Sequence, residues 1–233
     1  MTAIAHATAP VTERPLLMSG PLVRATLEGR KRQTRRPLRL KFKEPWELLG
    51  EDARDRPWPM RMDEYGDYHP IPCPWGVPGD VLWVRETWAH YQTIGPMKRP
   101  DGGAFSEVSD GLAGYRADGH DSIEDFRRHV ALMGGLDVEA VEINGDCWRP
   151  SIHMPKWACR LRLRITEVRA ERVQDISEED AEAEGCAGTP SGLHPAGDDG
   201  ESPREEFRRV WDSLYPGTWD TAWCWALTFA VVT

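Results

Sequence analysis

The 233-residue chain reads as an α+β protein, a small mixed β-barrel with short flanking helices and long inserted loops. Three observations predict it. Segments with the two-residue period of a half-buried strand stand apart at 81–85, 160–165 and 223–231. Capped helices are few and short. No strand–helix–strand rhythm, the mark of a parallel sheet, runs through the chain.

The elements follow in order. Residues 1–13 read as a flexible lead, and 14–233 as one domain with insertions at about 37–70 and 89–150. Pro15-Leu16-Leu17-Met18 is a short apolar strand. Ser19 or Gly20 caps a helix that Pro21 suits as first residue, with Leu22, Val23 and Leu27 on its apolar side. Gly29 is placed to stop that helix in a left-handed conformation. Residues 37–79 are rich in proline, charge and tryptophan and offer no regular element. Val81–Arg85 is a strand after the turn at Pro78-Gly79, and Ile123–Met133 is the one helix in the long 89–150 stretch. Ser177 opens a capped helix that Ile176 staples to Ala181 and that ends at Glu184-Gly185. Ser202-Pro203 opens another, with Phe207, Val210, Trp211 and Leu214 at helical spacing. Trp223–Val231 alternates as a closing strand.

Composition narrows the function. A 40% hydrophobic share with 11 tryptophans supports a real core and excludes global disorder. The net charge of −9 hides an asymmetry: nine basic residues face one acid between Arg24 and Lys43, and eleven acids face one base between Asp175 and Glu206. A basic face on an acidic protein binds a polyanion locally. The five scattered cysteines, the absence of a signal-like start and of any run near ~18 apolar residues predict a cytoplasmic protein with reduced thiols and no membrane partner. Cys147, His153 and Cys159 do not have zinc-site spacing, so neither metal nor cofactor is expected.

The segment Gly29–Arg36 carries the chemistry. It combines a hydroxyl (Thr34), an amine (Lys31) and an anion-attracting field from Arg30, Arg32, Arg35 and Arg36. The arginines would push the amine toward neutrality by like-charge repulsion, and burial would add to this. In a regular strand, positions 31 and 34 would point to opposite faces, so both enter one pocket only if the chain turns after Gly29. Glu184 ends its helix, where the dipole disfavours a negative charge and suits a proton donor. Arg85, Glu86 and Trp88 end a strand as an ion pair and an indole, either a base-stacking platform or a structural pair beside a core ring. His153 sits among prolines, either facing a ligand or making a structural hydrogen bond. Arg160, Arg162 and Arg164 share a strand face, tracking phosphate or pairing with Glu178, Glu179 and Glu182.

Three motifs in order resemble the ASCH family: Gly29-Arg30-Lys31-x-x-Thr34-x-Arg36, Pro78-Gly79-Asp80-Val81-Leu82-x-Val84, and Ile176-Ser-Glu-Glu-Asp-Ala-x-Ala-Glu184-Gly185. The wider chain, with Arg85–Trp88, Tyr115–Gly119 and Pro150–Pro155, resembles that family's longer phage and prophage branch. The resemblance implies a PUA-like barrel that binds RNA or modified nucleosides. A smaller bacterial branch hydrolyses N4-acetylcytidine, and by motif its nucleophile, proton acceptor and proton donor fall on Thr34, Lys31 and Glu184. The alternatives are a non-catalytic RNA-binding module and a ribonuclease using Lys31 and Glu184.

Overall fold

The protein is seen in a computed structural model that describes residues 10–38, 46–51, 57–93, 96–98, 104–106, 112–134, 136, 138–143, 145, 148–188 and 200–232. The predicted lead lies outside these residues up to position 9. In chain order the elements are β1 (Glu13–Leu17), α1 (Gly20–Leu27), β2 (Gln33–Pro37), β3 (Trp46–Glu51), β4 (Pro57–Met62), β5 (Tyr68–Pro70), β6 (Val81–Arg85), β7 (Trp88–Thr93), β8 (Pro96–Lys98), β9 (Ala104–Ser106), β10 (Leu112–Tyr115), α2 (Ile123–Gly134), β11 (Val141–Ile143), β12 (Arg162–Arg172), α3 (Glu178–Ala183), α4 (Pro203–Leu214) and β13 (Trp223–Val232).

Several sheets and few helices make this a mixed α+β protein. The chain divides into two compact units: Met1–Arg14, Thr26–Leu82 and Arg162–Thr233 form the first, and Pro15–Ala25 and Trp83–Leu161 the second. The 37–70 insertion falls within the first unit and the 89–150 insertion within the second.

The main sheet has five strands in the order β1-β6-β12-β13-β2. Among the described residues it does not close into the predicted barrel. Closure requires the edge strands to pair, and here β1 and β2 stand at opposite ends with three strands between them. Its spine is the antiparallel pair β12–β13, in register from Arg162↔Val232 to Arg172↔Trp223 with a bulge between Ile165 and Glu167. The extra residue shifts the alternation by one position. Leu163, Ile165 and Val168 therefore share one buried apolar face with Leu227 and Phe229, while Arg169 and Glu171 turn to the other. That second face is covered by a core of Val173, Ile176, Ala181, Phe207, Trp211, Trp219 and Cys224, supplied by β13, α3, α4 and their flanks.

Helix α4 carries a complete capping box, with Ser202 accepting from the Glu205 N–H and the Glu205 side chain accepting in return from the Ser202 N–H. Such a cap is worth ~1 kcal/mol. It turns Phe207 and Trp211 into the core and leaves Leu214 exposed. On α1, Val23 is buried as expected and Leu22 half-buried, but Leu27 is half exposed and Ala25 and Thr26 are buried in its place. Gly29, at φ +76°, stops it as predicted.

Residues 37–79 hold a three-stranded antiparallel sheet, β3-β4-β5, where the sequence offered no element. Trp58 of β4 lies 5.0 Å, ring centroid to centroid, from Trp225 of β13. The second unit has the antiparallel order β10-β7-β11 with α2 beside it. Gly114 in β10 is required there, because a Cβ would lie 2.0 Å from the Phe126 ring of α2. No helix among the described residues is long and apolar enough to cross a membrane.

Candidate functional site

Strand β2 pairs with β13 through Gln33↔Thr228, Thr34↔Leu227, Arg35↔Ala226 and Arg36↔Trp225. Alternation sends Gln33 and Arg35 to the face covered by α3 and α4, and Thr34 and Arg36 to the face of Leu227 and Trp225. Across that first face, Arg169, Ala226 and Arg35 form a row over three strands. The small Ala226 leaves room for Arg35 to reach over β13, and its Nη2 meets Glu171 Oε1 of β12 at 2.6 Å.

Lys31 precedes β2. Residues 30–32 leave the strand geometry after Gly29, so alternation does not govern the Lys31 side chain. This short entry docks on the C-terminal end of α3. The Arg32 N–H donates to the Ala183 carbonyl at 2.7 Å, and Lys31 Nζ donates to the Glu184 carbonyl at 2.8 Å. Both carbonyls would otherwise lack partners at a helix end. Ser177 caps the start of α3 by accepting from the Asp180 N–H, and Ile176 joins Ala181 in one cluster as the predicted staple. The stop is a Schellman turn: Gly185 N–H to Glu182 O and Cys186 N–H to Ala181 O, with Gly185 at φ +96°. These two ends fix where Glu184 stands.

Lys31 and Glu184 therefore meet although 153 positions separate them, with Nζ 2.6 Å from Oε2. Their side chains are 1% and 6% exposed. The other oxygen, Oε1, takes Arg35 Nη1 at 3.3 Å. Arg35 Nη1 also donates to Gln33 Oε1 at 2.7 Å, and Nη2 to Asp180 Oδ2 at 2.7 Å. Asp180 further accepts from Gln33 Nε2 at 2.9 Å and Arg169 Nη2 at 2.6 Å. Three cations (Lys31, Arg35, Arg169) thus face three carboxylates (Glu171, Asp180, Glu184), and Arg35 lies over the Phe207 ring at 5.8 Å.

Burial pushes the Lys31 amine below the ordinary lysine value; Glu184 pulls the other way, and Arg36 adds to the lowering. The predicted direction is right, but burial is the main cause. Arg30, expected to repel the amine, is exposed and bonded to Glu28. Burial alone would raise Asp180, yet Arg35, Gln33 and Arg169 hold it below its ordinary value. Cys186 is driven up to about 12 by burial, which keeps it a thiol.

The structure brings together Lys31, Arg35 and Glu184. Thr34 is 3% exposed and shares its strand face with Arg36, away from Gln33 and Arg35. Arg32 is exposed and Arg36 half-buried. Sequence reasoning missed Gln33, Arg169, Glu171 and Asp180. A signal was present: Asp180 and Glu184 are four apart on a capped helix, hence on one face, and Arg169 and Glu171 are two apart on a strand.

The remaining predicted residues belong to the second unit. Glu86, 1% exposed, accepts from Arg160 Nε at 2.9 Å and Nη2 at 3.0 Å. Arg160 Nη1 reaches Asp118 at 2.7 Å, and its guanidinium lies 3.9 Å over the Tyr115 ring. Arg160 is therefore matched within its own unit, and Arg162 approaches Glu13 at 3.6 Å, so neither has the partners expected on α3. Glu178 accepts instead from the Ser202 hydroxyl and the Arg204 N–H. Arg85 lies over Trp83 and donates to the Ile152 carbonyl. Trp88 is 3% exposed in a cluster with Met154 and Ala158, and His153 is exposed.

Among the described residues, surface hollows lie elsewhere. One of about 320 Å³ is lined by Glu178, Ser202, Arg204, Glu205, Arg208 and Trp219. Another, of about 180 Å³, is lined by His90, Tyr91, Gln92, Glu142 and Ile143. Neither includes Lys31, Thr34 or Glu184. Comparison with protein-family models, curated proteins and solved structures finds no match for this chain.

Proposed function

We propose that the chain binds a nucleobase, nucleoside or RNA and hydrolyses an exocyclic amide of a modified pyrimidine such as N4-acetylcytidine. The observation that carries this reading is the buried Lys31–Glu184 pair at 2.6 Å. Moving one proton from Nζ to Oε2 turns an ammonium and a carboxylate into an amine and a carboxylic acid without changing the net charge. Amide hydrolysis needs that second form: a base beside the nucleophile and an acid beside the leaving amine. Burial lowers the Lys31 amine and so favours its neutral, basic form.

This mechanism requires Thr34 Oγ, which strand alternation turns to the face opposite Gln33 and Arg35, to come within reach of Lys31 Nζ; it then attacks the acyl carbon and its proton passes to the amine. The C–N bond then breaks as Glu184 gives its proton to N4, releasing cytidine and leaving an ester on Thr34. Water attacks the ester, one of its protons replaces the one lost by Glu184, and the carboxylic acid departs with Thr34 reprotonated from Lys31. The resemblance of the three motifs to those of the ASCH family supports the substrate class. The test is incubation of purified protein with N4-acylated cytidines while following ultraviolet absorbance. Turnover that disappears in Thr34→Ala is expected; no turnover, or turnover that survives that substitution, rejects the reading.

A further inference from the structure

The second unit carries a face that the Lys31 chemistry does not use. Trp88, His90 and Gln92 alternate along β7 and so point the same way. Directly across the strands, Tyr115 pairs with Trp88, Ala113 with His90, and Glu142 with Gln92. Over this face lies Trp157, whose ring stands edge-on to Trp88 and to His90 at 5.7 Å each. A single buried indole would be ordinary core. Trp157 is 57% exposed, however, and a half-exposed tryptophan held by two other rings needs a reason.

Polarity along the face supplies one. At the Trp88 end, the Arg149 guanidinium lies 5.5 Å over the Trp88 ring, and Lys156, adjacent to Trp157, is exposed. No acidic residue occurs from 147 to 166. At the other end, the hollow of about 180 Å³ holds His90 together with Gln92 and Glu142, whose side chains are hydrogen-bonded at 2.5 Å. The face thus runs from cations, across aromatic rings, to a carboxylate and an amide.

We infer that this face binds an unpaired nucleobase of a single-stranded nucleic acid. Trp157 stacks on the base while His90, its ring at 76° to that of Trp157, borders the base edge; Arg149 and Lys156 attract the flanking phosphates, and Glu142 with Gln92 reads the base edge. Base–aromatic stacking combined with positive charge is how single strands are held without pairing. A carboxylate facing the edge accepts from an exocyclic amine, so cytosine is preferred over uracil. The neutral geometry of a base and the negative charge of its phosphates fit the two ends in that orientation only.

The probes are end-labelled homopolymers of cytidine and of uridine, their deoxy counterparts and a duplex of equal length, titrated with the full chain by fluorescence anisotropy at low salt. Single strands of either sugar are expected to bind, cytidine more tightly than uridine. Trp157→Ala weakens binding by about tenfold, in line with the stacking of one base. Trp157→Phe retains most of it, and Glu142→Gln removes the preference for cytidine. Because Trp157 is exposed, its loss leaves the fold intact, and circular dichroism checks this. Absence of single-strand binding, equal affinity for duplex, or Trp157→Ala binding as tightly as the parent overturns the inference.

Discussion

Among the described residues, each unit buries a glutamate beside a cation, and the two pairs differ in what they can do. In the second unit Glu86 is gripped by both prongs of Arg160, which also reaches Asp118 and stacks on Tyr115. In the first, Glu184 meets the single ammonium of Lys31, with Arg35 at a longer 3.3 Å. A guanidinium matches a carboxylate in a planar fork and does not release its proton in proteins; a buried lysine can. The two carboxylates are similarly buried, so their burial does not distinguish structure from chemistry, although Arg160 is 24% exposed and Lys31 only 1%. The cation does: the Glu86–Arg160 clasp holds a position, while the Lys31–Glu184 pair can move a proton.

The largest expected effect sharpens that distinction. Lys31→Met lowers turnover of N4-acetylcytidine by about 10²–10⁴-fold, the range for losing a general base, measured by initial rates. Next comes Arg160→Met, which leaves Glu86 buried without its fork. It costs about 3–5 kcal/mol at neutral pH, read from urea unfolding. Part of that loss returns as pH is lowered, because a protonated Glu86 needs no cation.

The two pairs also predict opposite pH slopes. Burial raises Glu86 against the pull of Arg160. A carboxyl raised in the folded state contributes stability that is complete below its unfolded value and fades as pH rises through the folded one. Lys31 is lowered, so the unfolded chain binds its proton more tightly. Its contribution is lost as pH falls through the folded value and recovers as pH rises toward that of an ordinary lysine. Unfolding free energy followed through the alkaline range should therefore show a rise that Lys31→Met abolishes. A smaller effect is expected when both members go together. Lys31→Met with Glu184→Leu should be neutral or stabilising by about 1–4 kcal/mol, as for other buried pairs exchanged for apolar side chains, whereas Glu184→Leu alone should destabilise. Smallest of all, Glu28→Ala should leave the unfolding midpoint unmoved, because the Glu28–Arg30 pair is about half exposed on both sides.

The strands and helices read correctly from sequence are those whose local pattern agrees with their burial. Val81–Arg85, the β12 alternation and the capped α3 and α4 fall in this class. The sheet β3-β4-β5 escaped because Pro57, Pro59 and Pro70 sit within its strands, where missing N–H groups argue against a ladder. Strand β7 escaped because Trp88, His90 and Gln92 share one face and Ala89 and Tyr91 the other, so neither is plainly apolar. At the site, Lys31 and Glu184 were named in advance through motif order and the helix stop at Gly185. Their surroundings were not. Arg35 read as one more exposed arginine, whereas it lies buried across Ala226, and its three carboxylate partners come from a strand and a helix some 140 residues on. Charged residues on a capped helix ordinarily face water, and only the fold turns Asp180 and Glu184 inward.

The most direct measurement of the claim that Lys31 moves a proton is the pH dependence of kcat/KM for N4-acetylcytidine, taken for the parent protein and for Lys31→Met. The expected result is a rate that climbs with pH through a midpoint below that of an ordinary lysine, and a residual rate in Lys31→Met without that limb. A parent profile without the limb, or the same limb persisting in Lys31→Met, would contradict the account and leave the buried pair a structural clasp like that of Glu86 and Arg160.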